Sequence, residues 1–324
     1  MNRPIKTLTA MALILSAGIA SAETLRFGYA QNATPTVEAM QKFGELVAEK
    51  TGGEVTIQYF PDSQLGGERE MVEMLQGGAL DITKVSGGLL ESFSPIYGVF
   101  PLPYVFDDQE HFYTAMDSAE VMGPVYESTR NLGFVGATYY NSGARNFYTT
   151  DTPIESVEDL QGLKIRVLES PTAIRTMELL GATPVAMGQA EVYTALQQGI
   201  LDGAENNEFA LTIARHAEVA KHYSYDGHTR IPDILLIGTN ALDRLSDEHR
   251  AAVMEAAKES TEFHKTVWDD AIEAERQKSA DEFGVTFYEP DVAPFREAVT
   301  PIYDEQSDEA KALLEAIRST GGSE

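Results

Sequence analysis

Arg145 and Arg166 are the residues with the clearest chemical potential. Arg145 ends the polar turn NSGAR (141–145), and Arg166 lies near the close of the strand-like run LKIRV (163–167). In α/β proteins ligands gather outside the carboxyl ends of strands. An arginine at such a place presents a planar fork of donors that matches a carboxylate through two bonds at once. The chemistry on offer is capture of an organic-acid anion. The residues alone leave a plainer outcome open. The chain carries 51 Asp and Glu against 24 Lys and Arg, so both arginines can pair with internal carboxylates.

Other chemistries find less support. G-x-S-x-G, G-x-G-x-x-G, Walker and H-E-x-x-H patterns are absent, and so is cysteine, which removes thiol nucleophiles, thiolate zinc sites and disulfides. His216, His222 and His228 are evenly spaced, but six residues do not bring side chains to one helical face. The stretch from Tyr223 to His228 also reads as a loop, so scattered polar histidines are expected rather than a metal site. With so many carboxylates, any acidic pair arises by chance. No catalytic residue, metal or cofactor is expected.

The elements that must position the arginines alternate between strand-like and helix-like segments, the mark of an α/β protein. Strands are read at 25–30, 55–60, 79–85, 134–140, 163–167 and 233–238, with short extended pieces at 183–186 and 203–206. Helices are read at 36–50, 67–76, 109–116, 119–131, after Pro171 and at 191–198. DILLIG (233–238) has the unbroken apolar character of a strand buried on both faces. The run Ser246–Phe283 has a capping serine, acids in its first turn and no Pro or Gly before Gly284. Val253, Ala257, Thr261, His264, Trp268 and Ala271 recur on one face. Unbroken, such a helix is about 55 Å long at 1.5 Å per residue and must serve two lobes; two shorter helices with a bend are the alternative. The end, STGGSE, looks loose.

A formal charge of −27 argues against a nucleic-acid partner and against attraction to an anionic membrane. Residues 1–22 have a basic start, an apolar run and a small-residue end, Ala20-Ser21-Ala22, which reads as a cleaved secretory signal without a lipid-anchoring cysteine. Its removal would leave a charge of −29, since Arg3 and Lys6 depart with it. A soluble periplasmic protein is expected.

The blocks FPDSQLGGERE (60–70), GALDIT (78–83), FPLPYVF (100–106), DLQGLKIRV (159–167), LLGATPVAM (179–187), EVYTALQQGILDGAEN (191–206) and HAEVAKHYS (216–224) resemble, in order and spacing, a solute-binding protein of the tripartite ATP-independent periplasmic (TRAP) transporter family. The resemblance spans the mature chain. It implies a two-lobed periplasmic binding protein fold with mixed sheets, crossing strands and a long helix shared by both lobes. Lobe 1 would comprise 23–143 plus 232–272, and lobe 2 would comprise 144–231 plus 273–324. It implies no enzymatic activity, a monomer, and delivery of a small organic-acid anion to the membrane subunits of a sodium-driven TRAP permease. Arg166 matches the arginine that clamps the ligand carboxylate in this family, Arg145 a second cationic contact, and Asn206 an asparagine that hydrogen-bonds the ligand. Glu68, Gln189 and Asp233 fall at positions that often face the cleft, though each can also be a surface polar residue.

Departures from the family pattern bear on the ligand. Ser86 and Leu89 stand where sialic-acid receptors carry glutamate and arginine, and Gln189 replaces a common aromatic platform. A cleft holding Gln189, Asn206, Asn207, Glu208 and Asp233 favours a hydroxylated ligand, because buried polar groups must be satisfied. The single tryptophan, Trp268, lies in the long helix and supplies no aromatic cage. ENNE (205–208) with HTRIPD (228–233) is most similar to receptors for sugar acids, hexuronates in particular. Receptors for C4-dicarboxylates or other small hydroxy acids, a periplasmic enzyme acting on such acids, and a receptor of an ATP-driven importer are the competing readings.

Overall fold

The computed structural model describes residues 22–30 and 32–321. The leader expected over 1–22 therefore lies, but for Ala22, outside the described residues. Eleven strands follow in chain order: β1 (Glu23–Tyr29), β2 (Val55–Phe60), β3 (Ile82–Ser86), β4 (Phe134–Tyr140), β5 (Arg145–Thr149), β6 (Lys164–Val167), β7 (Thr183–Ala186), β8 (Gly203–Asn206), β9 (His222–Thr229), β10 (Asp233–Gly238) and β11 (Thr286–Tyr288). One sheet has the order β2-β1-β3-β10-β4 and the other β11-β9-β5-β8-β6-β7. Each is the centre of a lobe with apolar side chains packed on both faces.

Both sheets are mixed for the same reason. The chain leaves the first lobe at the end of β4, crosses through residues 141–144 and enters the second as β5; it returns from β9 through 230–232 into β10. A strand that enters from the side where its neighbours end must run against them. Accordingly β5 is antiparallel to β8 and β9, and β10 is antiparallel to β3 and β4. The register then sets the first residues of the entering strands beside the last residues of their partners: Arg145 opposite Thr229, Asn146 opposite Asn206, and Asp233 opposite both Ser86 and Tyr140. Carboxyl ends of ordinary strands and amino ends of crossing strands thus converge on one gap.

The crossing segment needs a glycine. Gly143 has φ +68°, and a Cβ there would stand 3.2 Å from the Trp268 ring and 3.3 Å from the Asn207 Cβ. The long helix, Asp247–Phe283, is continuous over 37 residues rather than two helices with a bend. Ser246 caps it by accepting from the His249 N–H, and Gly284 ends it in the left-handed region. Val253, Ala256 and Ala257 pack into the first lobe. Ser260 and Thr261 bond Tyr140 and the Tyr139 carbonyl at the crossing, Trp268 meets Phe209 of the second lobe, and the Phe283 carbonyl accepts from Lys221. Ala271 on the expected face is half-buried.

Three expectations are corrected. Residues 222–229 form a strand, not a loop; the polar string HYSYDGHT hides it because most of its buried side chains are polar, Tyr223 packing in the apolar core and Asp226 and His228 pairing with each other. The C-terminal end does not stay with the second lobe. Ile302, Leu313, Leu314 and Ile317 pack into the first lobe's core, and the Ile317 carbonyl meets His111 Nε2 at 2.9 Å. Ser319 and Thr320 belong to the helix Asp308–Thr320, so the loose end is confined to Gly321 among the described residues.

Candidate ligand cleft

The gap between the lobes is a cleft of about 940 Å³. Its lining includes Arg166, Arg145, Asn206, Glu68, Gln189 and Asp233, so the structure brings all six expected site residues together. Ser86 and Leu89 line it too.

On the second lobe, Arg166 projects from β6, buried to 2 % exposure. Its Nε and Nη2 donate to the Met187 carbonyl at 3.0 and 2.7 Å, which fixes the plane of the guanidinium. Nη1 has no hydrogen-bond partner among the described residues. Burial pulls the Arg166 pKa down, yet arginine stays charged at any ordinary pH. This is a desolvated cation with one free edge.

Arg145 is different. Its Nε and Nη2 grip the Glu205 carboxylate, with Nη2 2.9 Å from Oε1 and 2.8 Å from the Glu205 carbonyl, while Nη1 donates to Asn206 Oδ1 at 3.1 Å. The plain outcome left open by the sequence therefore holds for Arg145 and not for Arg166. Beneath this pair lies His228, stacked on Phe147 and 2.7 Å from Asp226 Oδ2 and 3.6 Å from Glu205 Oε2. Burial alone would lower the His228 pKa, but the two carboxylates outweigh it and hold it up at about 9. Burial alone would raise that of Glu205; Arg145 and His228 bring it down to about 2. Asn206 Oδ1 is occupied by Arg145 and by the Asn207 N–H, which leaves the Nδ2 group as its donor toward the cleft.

The first lobe contributes a group that the sequence reading missed. Lys84, in the centre of fully buried β3, reaches Asp233 Oδ2 at 2.9 Å and Glu68 Oε1 at 3.5 Å. Its only sequence signal is a lone charge inside ITKVS. Desolvation depresses the Lys84 pKa, and Asp233 and Glu68 more than restore it. Glu68 opens a helix, accepts from the Ser86 N–H at 3.2 Å, and has its pKa raised chiefly by burial.

Some expected cleft residues serve other ends. Asn207 lines the cleft, but its amide donates to the Ser142 carbonyl and accepts from the Phe209 N–H, bracing the crossing segment. Glu208 is not in the lining; it accepts from the Tyr225 hydroxyl at 2.9 Å. The three histidines lie apart, each with a polar partner of its own. His216 is buried against the Tyr148 hydroxyl at 2.8 Å, His222 meets the Tyr288 hydroxyl at 3.0 Å, and His228 joins the charge network.

Comparison with known proteins gives this architecture its context. The model of bacterial extracellular solute-binding protein family 7 matches residues 27–309. The chain belongs to that family. As a family 7 solute-binding protein it is 60 % identical over 280 residues to YiiZ of Salmonella typhimurium, an uncharacterised protein, covering 86 % of each chain. A TRAP periplasmic solute-binding protein of Anaerococcus prevotii, solved with bound α/β-D-glucuronate, superposes with a TM-score of 0.88 at 41 % identity, over 92 % of this chain and 98 % of that one. One of Xanthobacter autotrophicus, solved with β-D-galacturonate, gives 0.87 at 36 % identity, over 91 % and 99 %. The family 7 protein is thus of the TRAP type, with the two-lobed fold of those receptors. No helix among its described residues is long and apolar enough to cross a membrane.

Proposed function

We propose that this family 7 protein is a periplasmic receptor for a hexuronate such as D-glucuronate or D-galacturonate. Exported by its N-terminal signal and working as a monomer, it hands the anion to a TRAP permease and performs no chemistry on it. The observation that carries the reading is Arg166, a buried guanidinium that lines the polar cleft, is held in plane by Met187 and has no partner for Nη1 among the described residues. The ligand carboxylate docks there, and Asn206 adds a donor. Asp233, Glu68 and Gln189 read the ring hydroxyls. Closure of the lobes removes water, which strengthens the ion pair. The glucuronate and galacturonate bound to the related structures support this choice over other acids.

Titration calorimetry with D-glucuronate and D-galacturonate tests it. One of them binds the wild type, and at 100 times its dissociation constant it adds about 2.7 kcal/mol to stability. Arg166→Ala loses at least ~3 kcal/mol, roughly 100-fold in Kd, because the bound carboxylate is left buried without its partner. Unchanged affinity in that variant removes Arg166 from the site, and turnover of the acid on incubation replaces the receptor reading with an enzyme.

A further inference from the structure

We propose that the cleft selects ligands carrying a single carboxylate, and that the first-lobe cluster of Asp233, Glu68 and Lys84 is the element that rejects a second. This rests on the hexuronate reading above and specifies its chemistry further. Among the described residues four cationic side chains line the cleft: Arg69, Lys84, Arg145 and Arg166. Three are already engaged by carboxylates of the protein. Lys84 is tied to Asp233 and Glu68, Arg145 to Glu205, and Arg69 lies 3.8 Å from Glu169 with its guanidinium over the Phe93 ring. Among the described residues no carboxylate forms an ion pair with Arg166, whose direct partner is the Met187 carbonyl.

The first lobe offers the opposite field. Two carboxylates share one ammonium, and Asp233 is nine-tenths buried. Asp233 Oδ2 holds Lys84, while Oδ1 has no hydrogen-bond partner among the described residues and can accept from a hydroxyl. A sugar hydroxyl donates to such an oxygen at little cost. A second ligand carboxylate in the same place meets like charge, with the Lys84 ammonium already shared by both acids. A neutral sugar, in turn, leaves Arg166 without its counter-charge. The charge pattern therefore fits a molecule with a carboxylate at one end and hydroxyls at the other.

The test compares D-glucuronate with D-glucarate, which carries a carboxylate at each end, by titration calorimetry on the wild type, Asp233→Asn and Glu68→Gln, with melting curves to verify folding. The wild type is expected to bind glucarate at least tenfold more weakly than glucuronate. At least one of the two variants is expected to narrow that ratio fivefold or more, whatever happens to glucuronate affinity itself. Glucarate within threefold of glucuronate on the wild type overturns the proposal. So does weak glucarate binding that neither folded variant improves, since shape and not charge then excludes it. Failure of both D-glucuronate and D-galacturonate to bind the wild type defeats the hexuronate reading itself, whereas hexuronate binding without charge discrimination defeats this proposal alone.

Discussion

At the scale of single residues, two arginines of similar appearance have different tasks. Arg145 is neutralised by Glu205 and braced by Asn206, so it shapes the floor of the cleft. Arg166 Nη1 has no hydrogen-bond partner among the described residues, so Arg166 is the cation proposed to meet the ligand carboxylate. The floor depends on His228, whose ring is faced by Asp226, Glu205 and Phe147, with Arg145 across Glu205. Its pKa is raised from 6.5 to about 9. A group with a raised folded-state pKa contributes stability that is complete below its unfolded value and disappears as pH climbs through the folded one. Stability should accordingly decline between about pH 6.5 and 9. Glu205, depressed from 4.5 to about 2, acts with the opposite sign: its contribution is present above 4.5 and is lost as pH falls toward 2. His228→Gln should flatten the alkaline decline in Tm. Thermal melts at pH 6, 7.5 and 9 check this, and an identical slope in the variant would exclude His228 as the titrating group.

At the scale of elements, the two crossings do the positioning. Because β5 and β10 enter their sheets against the grain, Arg145 and Asp233 are delivered to the gap where β3, β6 and β8 end with Ser86, Arg166 and Asn206 nearby. The long helix braces the first crossing through Ser260, Thr261 and Trp268. Gly143→Ala puts a side chain into a left-handed conformation against Trp268 and Asn207, at a cost of about 1–2 kcal/mol. It should also displace Arg145, two residues on, and weaken ligand binding. Urea unfolding together with calorimetry measures both; a variant with wild-type stability would show that the crossing tolerates the extra carbon. The strands β1, β2, β4 and β10 and the long helix were legible in the sequence because apolar runs and helical spacing are local properties. Strand β9 was not, because its buried polar side chains meet partners on β5 and β8 that only the sheet brings beside them.

At the scale of the whole molecule, the acidic charge and the anionic ligand stand in apparent conflict. With a formal charge of −27 the protein repels an approaching anion at long range, and only the local field of Arg166 favours it. Raising the ionic strength from about 10 mM to about 150 mM shortens the screening length from about 30 to about 8 Å. Association of glucuronate should therefore accelerate with salt, the reverse of a steered encounter. Trp268, the single tryptophan, is buried against Phe209, which lines the cleft, so its fluorescence in stopped flow can follow binding. A rate that drops with added salt would mean that attraction by the cleft governs the encounter.

By itself the sequence determined the α/β class, the family, the helical character of 246–283 and six polar residues that line the cleft. Each of these is carried by local periodicity or by motifs that are contiguous in the chain. Tertiary structure alone decided which arginine is free, that Lys84 joins Asp233 and Glu68, that Glu208 turns away to Tyr225, and that the C-terminal helix returns to the first lobe. The reason is electrostatic and geometric. In a chain with 51 carboxylates every cation has many possible partners. Glu205 reaches Arg145 because β8 is registered against β5, and among the described residues no carboxylate forms an ion pair with Arg166.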